Sequence, residues 1–229
     1  MRDLPVPPVK LGDPELVVMI GRDPRPPAPE PDDGEDPRDT PPPALFGEEL
    51  EPETDSLVLV IDDSGSMRGQ RMAKVHTEVL RLIRGLSANF RFNLVSFTCG
   101  TNSWSLRLEE ATDENKASAS NWLAGVRGRG STGTGPAVAY ALQAHPENKM
   151  VVLLTDGAPN CGTTTTPGRF GRISWSSYYQ MQHEHSEMIR TANAQGASIV
   201  VFGIQADPQA RGWMQSIAYM NLGWYVDVP

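Results

Sequence analysis

The chain has no run near the eighteen or so consecutive apolar residues of a membrane span, so no spanning helix is expected. Its first residues lack the basic-then-apolar pattern of a secretory leader. Two cysteines, Cys99 and Cys161, are too few for a disulfide framework and show no zinc spacing. A reducing compartment is therefore expected, cytoplasmic by default. Free thiols are favoured over a bridge, although both cysteines follow strands that end on one rim. A basic footprint for nucleic acid is missing as well, since the formal net charge is −8. Several catalytic loops are missing too. A phosphate-binding loop needs Lys after its last glycine, and Thr134 follows Gly133. A hydrolase elbow needs Gly two residues before its serine, but Asp62 precedes Ser64, Ser64 precedes Ser66 and Arg129 precedes Ser131.

What is present divides sharply. From Met1 to Asp55 there are 15 acidic and 5 basic residues and 14 of the 20 prolines; the rest carries 13 acidic and 15 basic. Residues 1–43 are too poor in large apolar side chains to build a core, and read as an extended, proline-rich acidic arm. One apolar island, Leu16 to Ile20, interrupts the arm. It is a linker or a docking segment that adds to a sheet edge or a partner surface. Residues 44–229 hold the domain.

Leu57 to Ile61 form an apolar, β-branched run that reads as a buried strand. Met72, Val75, Val79, Leu82, Ile83 and Leu86 then recur at helical spacing. Further strands are expected at 92–97, 103–108, 150–155, 198–202 and 224–228. Helices are expected from Thr112 to about Ala124, over 136–144, to Gln195, and from Asp207–Pro208 through Met220. Strands alternating with helices predict an α/β fold. Its core is a doubly wound, mostly parallel six-stranded sheet with helices on both faces.

Such sheets bind ligands where the strands end, near the switch in strand order. Asp62 follows the first strand and Asp156 the fourth, so both carboxylates arrive at one rim. Asp62-x-Ser64-x-Ser66 adds two hydroxyls, and Gly130-Ser131-Thr132 a third. Hard oxygen of this kind suits Mg²⁺ or Mn²⁺ and suits zinc poorly. Each part alone has a plainer meaning: a helix cap, a glycine-loop residue, a Thr-Asp-Gly turn. Asp63 reads as solvent-facing or as a group behind the ligands. His183 and His185, two apart on a helix, point to different sides and share no metal.

Taken together and in this order, Asp62-x-Ser64-x-Ser66, Thr132 and Thr155-Asp156-Gly157 resemble the von Willebrand factor A domain over about residues 55–229. Asp62-Asp63-Ser64-Gly65-Ser66-Met67, Ala111-Thr112-x-x-Asn115 and Gly223-Trp224-Tyr225-Val226 are similar to small bacterial members related to inter-alpha-trypsin inhibitor heavy chains. The resemblance implies the Rossmann-like fold of that family and a metal-ion-dependent adhesion site. Ser64 and Ser66 would bind the cation directly. Thr132 and Asp156 would alternate between direct and water-bridged contact, and Asp62 would lie beside or just behind the ion.

The expected function is a non-enzymatic module that captures a partner protein's Asp or Glu on Mg²⁺ or Mn²⁺. The acidic arm, from the same or a neighbouring chain, is one candidate occupant. The alternative is a structural subunit of a surface or virion assembly, oligomeric and docked through its arm. No general base stands beside the site for an enzyme. The long loop from Asn160 to Tyr179 offers Arg169, Phe170, Arg172 and Trp175 as a recognition surface.

Overall fold

Leu57 to Ile61 are wholly buried, and the period of two along a strand sends them to opposite faces. The computed structural model describes residues 42–163 and 175–229, with only the helical backbone of Trp175 and Ser176. The acidic arm, 1–41, lies outside the described residues.

The elements run in order: a hairpin of β1 (Ala44–Leu45) and β2 (Glu48–Glu49), then β3 (Ser56–Asp62), α1 (Gln70–Gly85), β4 (Arg91–Phe97), β5 (Thr101–Ser103) and β6 (Glu109–Glu110). There follow α2 (Asp113–Leu123), α3 (Thr134–Ala144), β7 (Met150–Thr155), α4 (Trp175–Ala192), β8 (Ser198–Ile204), α5 (Pro208–Met220) and β9 (Tyr225–Val228). The main sheet has the order β5-β4-β3-β7-β8-β9, with β6 beside β4. Pairings among β4, β3, β7, β8 and β9 are parallel, while β5 and β6 meet β4 antiparallel. The mostly parallel, doubly wound α/β sheet is as the sequence predicts, with seven strands among the described residues instead of six.

Leu57, Leu59 and Ile61 of β3, Val152 and Leu154 of β7, and Val200 and Phe202 of β8 pack with α1 and α2. The intervening Val58, Val60, Val151, Leu153, Ile199 and Val201 pack with α3, α4 and α5. Each buried Val, Leu, Ile or Phe contributes about 1.5–3 kcal/mol of transfer free energy, so the two cores fix the register of the sheet.

Two boundaries differ from the sequence reading for local reasons. The strand expected over 103–108 is split into β5 and β6. The Asn93 side chain draws the intervening chain around itself: its amide donates to Ser105 O (2.8 Å), and its carbonyl accepts from Ser105 N (3.2 Å). Trp104 stacks on Phe92 with ring centroids 5.1 Å apart, and Leu106 is left 88% exposed. Helix α4 stops at Ala192, short of Gln195. Asn193 closes a turn there, accepting from Ala197 N (2.7 Å) and donating to Ala197 O (2.9 Å).

Strand β3 is followed by β4 on one side, and the chain then crosses to β7 on the other. The switch point therefore lies between the carboxyl ends of β3 and β7.

Candidate metal centre at the sheet rim

Asp62, the last residue of β3, is completely buried. Its Oδ1 accepts from Ser64 N (2.8 Å), folding the chain back after the strand. Its Oδ2 accepts from Thr155 Oγ1 (2.5 Å) at the end of the adjacent β7. Burial pushes the Asp62 carboxyl up to about 7; the bonds from Thr155 and Ser64 pull it down, and the neighbouring Asp156 pushes it further up. A cation here would favour the ionised form.

From Asp62 the polar chain continues. Ser64 Oγ lies 3.0 Å from Ser66 Oγ, and Ser66 Oγ donates to Asp156 Oδ1 (2.8 Å). Asp156 Oδ2 accepts from Arg71 Nη1 (2.7 Å), a pair in which the carboxylate is 3% and the arginine 33% exposed. Sequence reading gives Arg71 no role; it sits in the first turn of the helix that follows the serine turn, and that position is the signal that could have raised it.

Thr132 arrives on a loop gripped from three sides. Gly65 N donates to Gly130 O (2.9 Å), joining the loop to the serine turn. Gly133 N donates to Thr98 O (2.8 Å) after β4. Thr132 N donates to Asn160 Oδ1 (2.8 Å), while Thr132 O accepts from Asn160 N (2.9 Å). Asn160 is a second residue the sequence reading missed.

Asp63 corrects an expectation. It is buried and not solvent-facing. Its buried Oδ1 accepts from Arg127 N (2.8 Å) and Gly128 N (2.6 Å), and its carbonyl accepts from Arg129 N (2.5 Å). Adjacent carboxylates thus have divided work: Asp62 faces the site and Asp63 shapes the loop. Gly128 is required there by its φ of +77°, and a Cβ would also lie 2.7 Å from Arg68 N.

The cysteines correct another. Cys99 and Cys161 form a disulfide with Cα atoms 5.6 Å apart. It ties the loop after β4 to the loop after β7, on either side of Thr132. A bridge at this position belongs to an oxidising environment, so the ground for expecting a reducing, cytoplasmic compartment is gone.

Ser66, Thr132 and Asp156 open on a cavity of about 540 Å³ that Arg71, Asn160 and Asp207 also line. Asp62 and Ser64 are buried beside it and do not line it. Among the described residues no three Asp, Glu, His or Cys side chains gather to hold a metal. The donors that do gather are two carboxylates and three hydroxyl side chains, a set that fits Mg²⁺ or Mn²⁺. His183 is exposed and His185 fully buried, so the two do face different ways. Arg169, Phe170 and Arg172 lie outside the described residues, and of Trp175 only its place at the start of α4 is described.

Among known proteins, residues 56–224 match the family model of the von Willebrand factor type A domain. Inter alpha-trypsin inhibitor heavy chain 4 of Mus musculus is 31% identical over 120 residues, covering 48% of this chain and 13% of that relative. Inter-alpha-trypsin inhibitor heavy chain H1 of Mesocricetus auratus is 24% identical over 185 residues, or 71% of this chain and 20% of its own length. The chain thus spans a small part of the curated relatives it matches. In fold it is similar to a von Willebrand factor type A structure from Catenulispora acidiphila, with TM-score 0.55, 20% identity, and 76% and 38% of the two chains covered. The PilB minor pilin from Streptococcus sanguinis gives TM-score 0.59 at 14% identity, covering 80% of this chain and 58% of that one. Among the described residues no helix is long and apolar enough to cross a membrane.

Proposed function

The chain belongs to the von Willebrand factor type A family, and on that premise we propose that its rim is a metal-dependent protein-interaction site. Domains of this family commonly mediate protein–protein contact. The partner supplies an Asp or Glu, and the cation is Mg²⁺ or Mn²⁺. The observation that carries the reading is the polar chain Asp62–Ser64–Ser66–Asp156. It joins side chains some 90 residues apart in sequence at one cavity, with Thr132 on the same wall.

Ser64, Ser66, Thr132, Asp62 and Asp156 would hold the ion. When bound, it would supply an incompletely neutralised positive charge, because three of the five donors are neutral hydroxyls. The chain's own residues prepare for this. Thr155 and the Ser64 amide orient Asp62, and the two serine hydroxyls are already in contact. Asn160 fixes the backbone of Thr132 from both its donor and its acceptor side. Burial of Asp62 keeps water from competing for its oxygens, while Asp156 meets the cavity.

Thermal melts of the full chain in Mg²⁺ and in EDTA test the reading. At about a hundred times the dissociation constant, Mg²⁺ should stabilise the fold by about 2.7 kcal/mol. Asp156→Ala should abolish the increment. A melt that Mg²⁺ and EDTA leave unchanged removes the metal, and the carboxylate-capture reading with it.

A further inference from the structure

Asp156 is already engaged by a cation that the protein carries itself. Arg71, on the first turn of α1, makes three contacts at the rim: Nη1 donates to Asp156 Oδ2 (2.7 Å) and to Ser66 O (2.9 Å), and Nη2 to Gln205 O (3.1 Å). Gln205, just past β8, presents that carbonyl from a left-handed backbone conformation with φ of +47°, which a non-glycine residue adopts at a cost. The guanidinium therefore bridges the serine turn after β3, the aspartate after β7 and the residue after β8. A solvated surface arginine would have no such set of backbone acceptors built around it.

We infer that Arg71 is a tethered counter-cation that neutralises Asp156 in the metal-free protein and holds down the site's affinity for a divalent cation. The inference rests on the metal reading above. Both oxygens of Asp156 are in use, Oδ1 by the Ser66 hydroxyl and Oδ2 by Arg71. A divalent cation would share Oδ1 with the Ser66 proton, because a hydroxyl that gives a lone pair to a metal still donates its hydrogen. Nothing in that arrangement frees Oδ2. The guanidinium stays at ion-pair distance from a carboxylate that the divalent cation also needs, and like charges so placed repel strongly where burial limits screening. Arginine cannot escape by losing its proton, as a buried lysine can. Two consequences follow with opposite signs. The charge of Arg71 stabilises the metal-free protein, because Asp156 is 3% exposed and would otherwise be an unpaired buried carboxylate. The same charge weakens binding of Mg²⁺.

Mg²⁺ titration of the full chain by calorimetry, with melts in EDTA, tests both signs in R71M and R71K. R71M keeps the apolar stem and loses the charge. It should melt lower than wild type in EDTA yet bind Mg²⁺ at least about tenfold more tightly. R71K keeps the charge and should bind within about threefold of wild type. Should methionine prevent folding, Arg71→Gln removes the charge while retaining donors for the carbonyls of Ser66 and Gln205. Equal or weaker Mg²⁺ binding by the neutral variants, beside a wild type that does bind, overturns the role of Arg71 and leaves the metal site standing. Silence towards Mg²⁺ in every variant overturns both.

Discussion

The interior of the sheet and its carboxyl-end rim are held by different physics. In β3, β7 and β8 nearly every residue is apolar and buried, and each has many near-equivalent neighbours on two faces. No single contact decides the arrangement. At the rim, apart from the disulfide, the contacts are directed polar bonds between particular atoms: Thr155 on Asp62, Ser66 on Asp156, Asn160 on Thr132. The interior is specified by composition and period, the rim by individual atoms. Damage to the first should therefore appear as lost stability, and damage to the second as lost binding.

The sharpest test removes a large side chain from the interior. Phe202 is fully buried in β8, touching the hairpin through Phe46 at a ring-centroid distance of 5.7 Å. Phe202→Ala should cost about 3–5 kcal/mol in a urea titration. If the comparison holds, whatever increment Mg²⁺ gives the wild type should survive in the remaining folded protein. A variant that loses the Mg²⁺ increment along with the stability would mean that core and rim are not separable.

A polar group inside the interior sharpens the comparison from the other side. His185 on α4 is fully buried and accepts from Gly135 N (2.6 Å) on α3, so its Nδ1 must be unprotonated. Burial lowers its pKa from 6.5 to about 4, with the Cys161 carbonyl and Glu184 opposing. The unfolded chain thus takes up the proton first. The contribution is fully present above about pH 6.5 and is lost as pH falls through about 4, for a total of roughly 3 kcal/mol. His185→Gln, which keeps an acceptor for Gly135, should flatten the stability–pH slope in that window. An unchanged slope would mean that His185 does not carry the acid sensitivity.

The same contrast explains what could be read from the sequence. The strands of both cores and the buried face of α1 follow from runs such as Val151-Val152-Leu153-Leu154 and from helical spacing, because burial acts on residue type. The five oxygen side chains were legible for a different reason: they form a motif with fixed order, and parallel topology delivers Asp62 and Asp156 to one end. Arg71, Asn160, the loop-building role of Asp63 and the Cys99–Cys161 bridge were not. Each depends on a partner far along the chain, at separations of 85, 28, 65 and 62 residues. Nothing local distinguishes a bonded Asn160 from any polar loop residue. The bridge also needed the distance between two loops, which strand periodicity does not report. The split strand after β4 failed to show for the same reason, since Asn93 acts through its side chain.

The smallest expected effect is the most local. Asp63 stands between two candidate metal-binding residues, Asp62 and Ser64, yet serves the loop, accepting two backbone amides, Arg127 N and Gly128 N. Asp63→Ala leaves both amides without an acceptor, a loss of about 1–3 kcal/mol if the loop stays in place. The loop is at the surface, where Arg129 is exposed, so water can replace the carboxylate and the lower end of that range is expected. The hydrogen-exchange protection of Arg127 and Gly128 should then be lost while the amides of β3 keep theirs, because the interior does not depend on this loop. Asp63→Asn retains an acceptor oxygen and should protect both amides nearly as wild type does, less the strength that charge adds to such bonds. The two variants separate acceptor from charge. Protection that persists in Asp63→Ala would show that the loop's backbone bonds, Gly65 N to Gly130 O and Arg129 N to Asp63 O among them, suffice to hold it. The rim would then be braced, like the interior, by more than one sufficient contact.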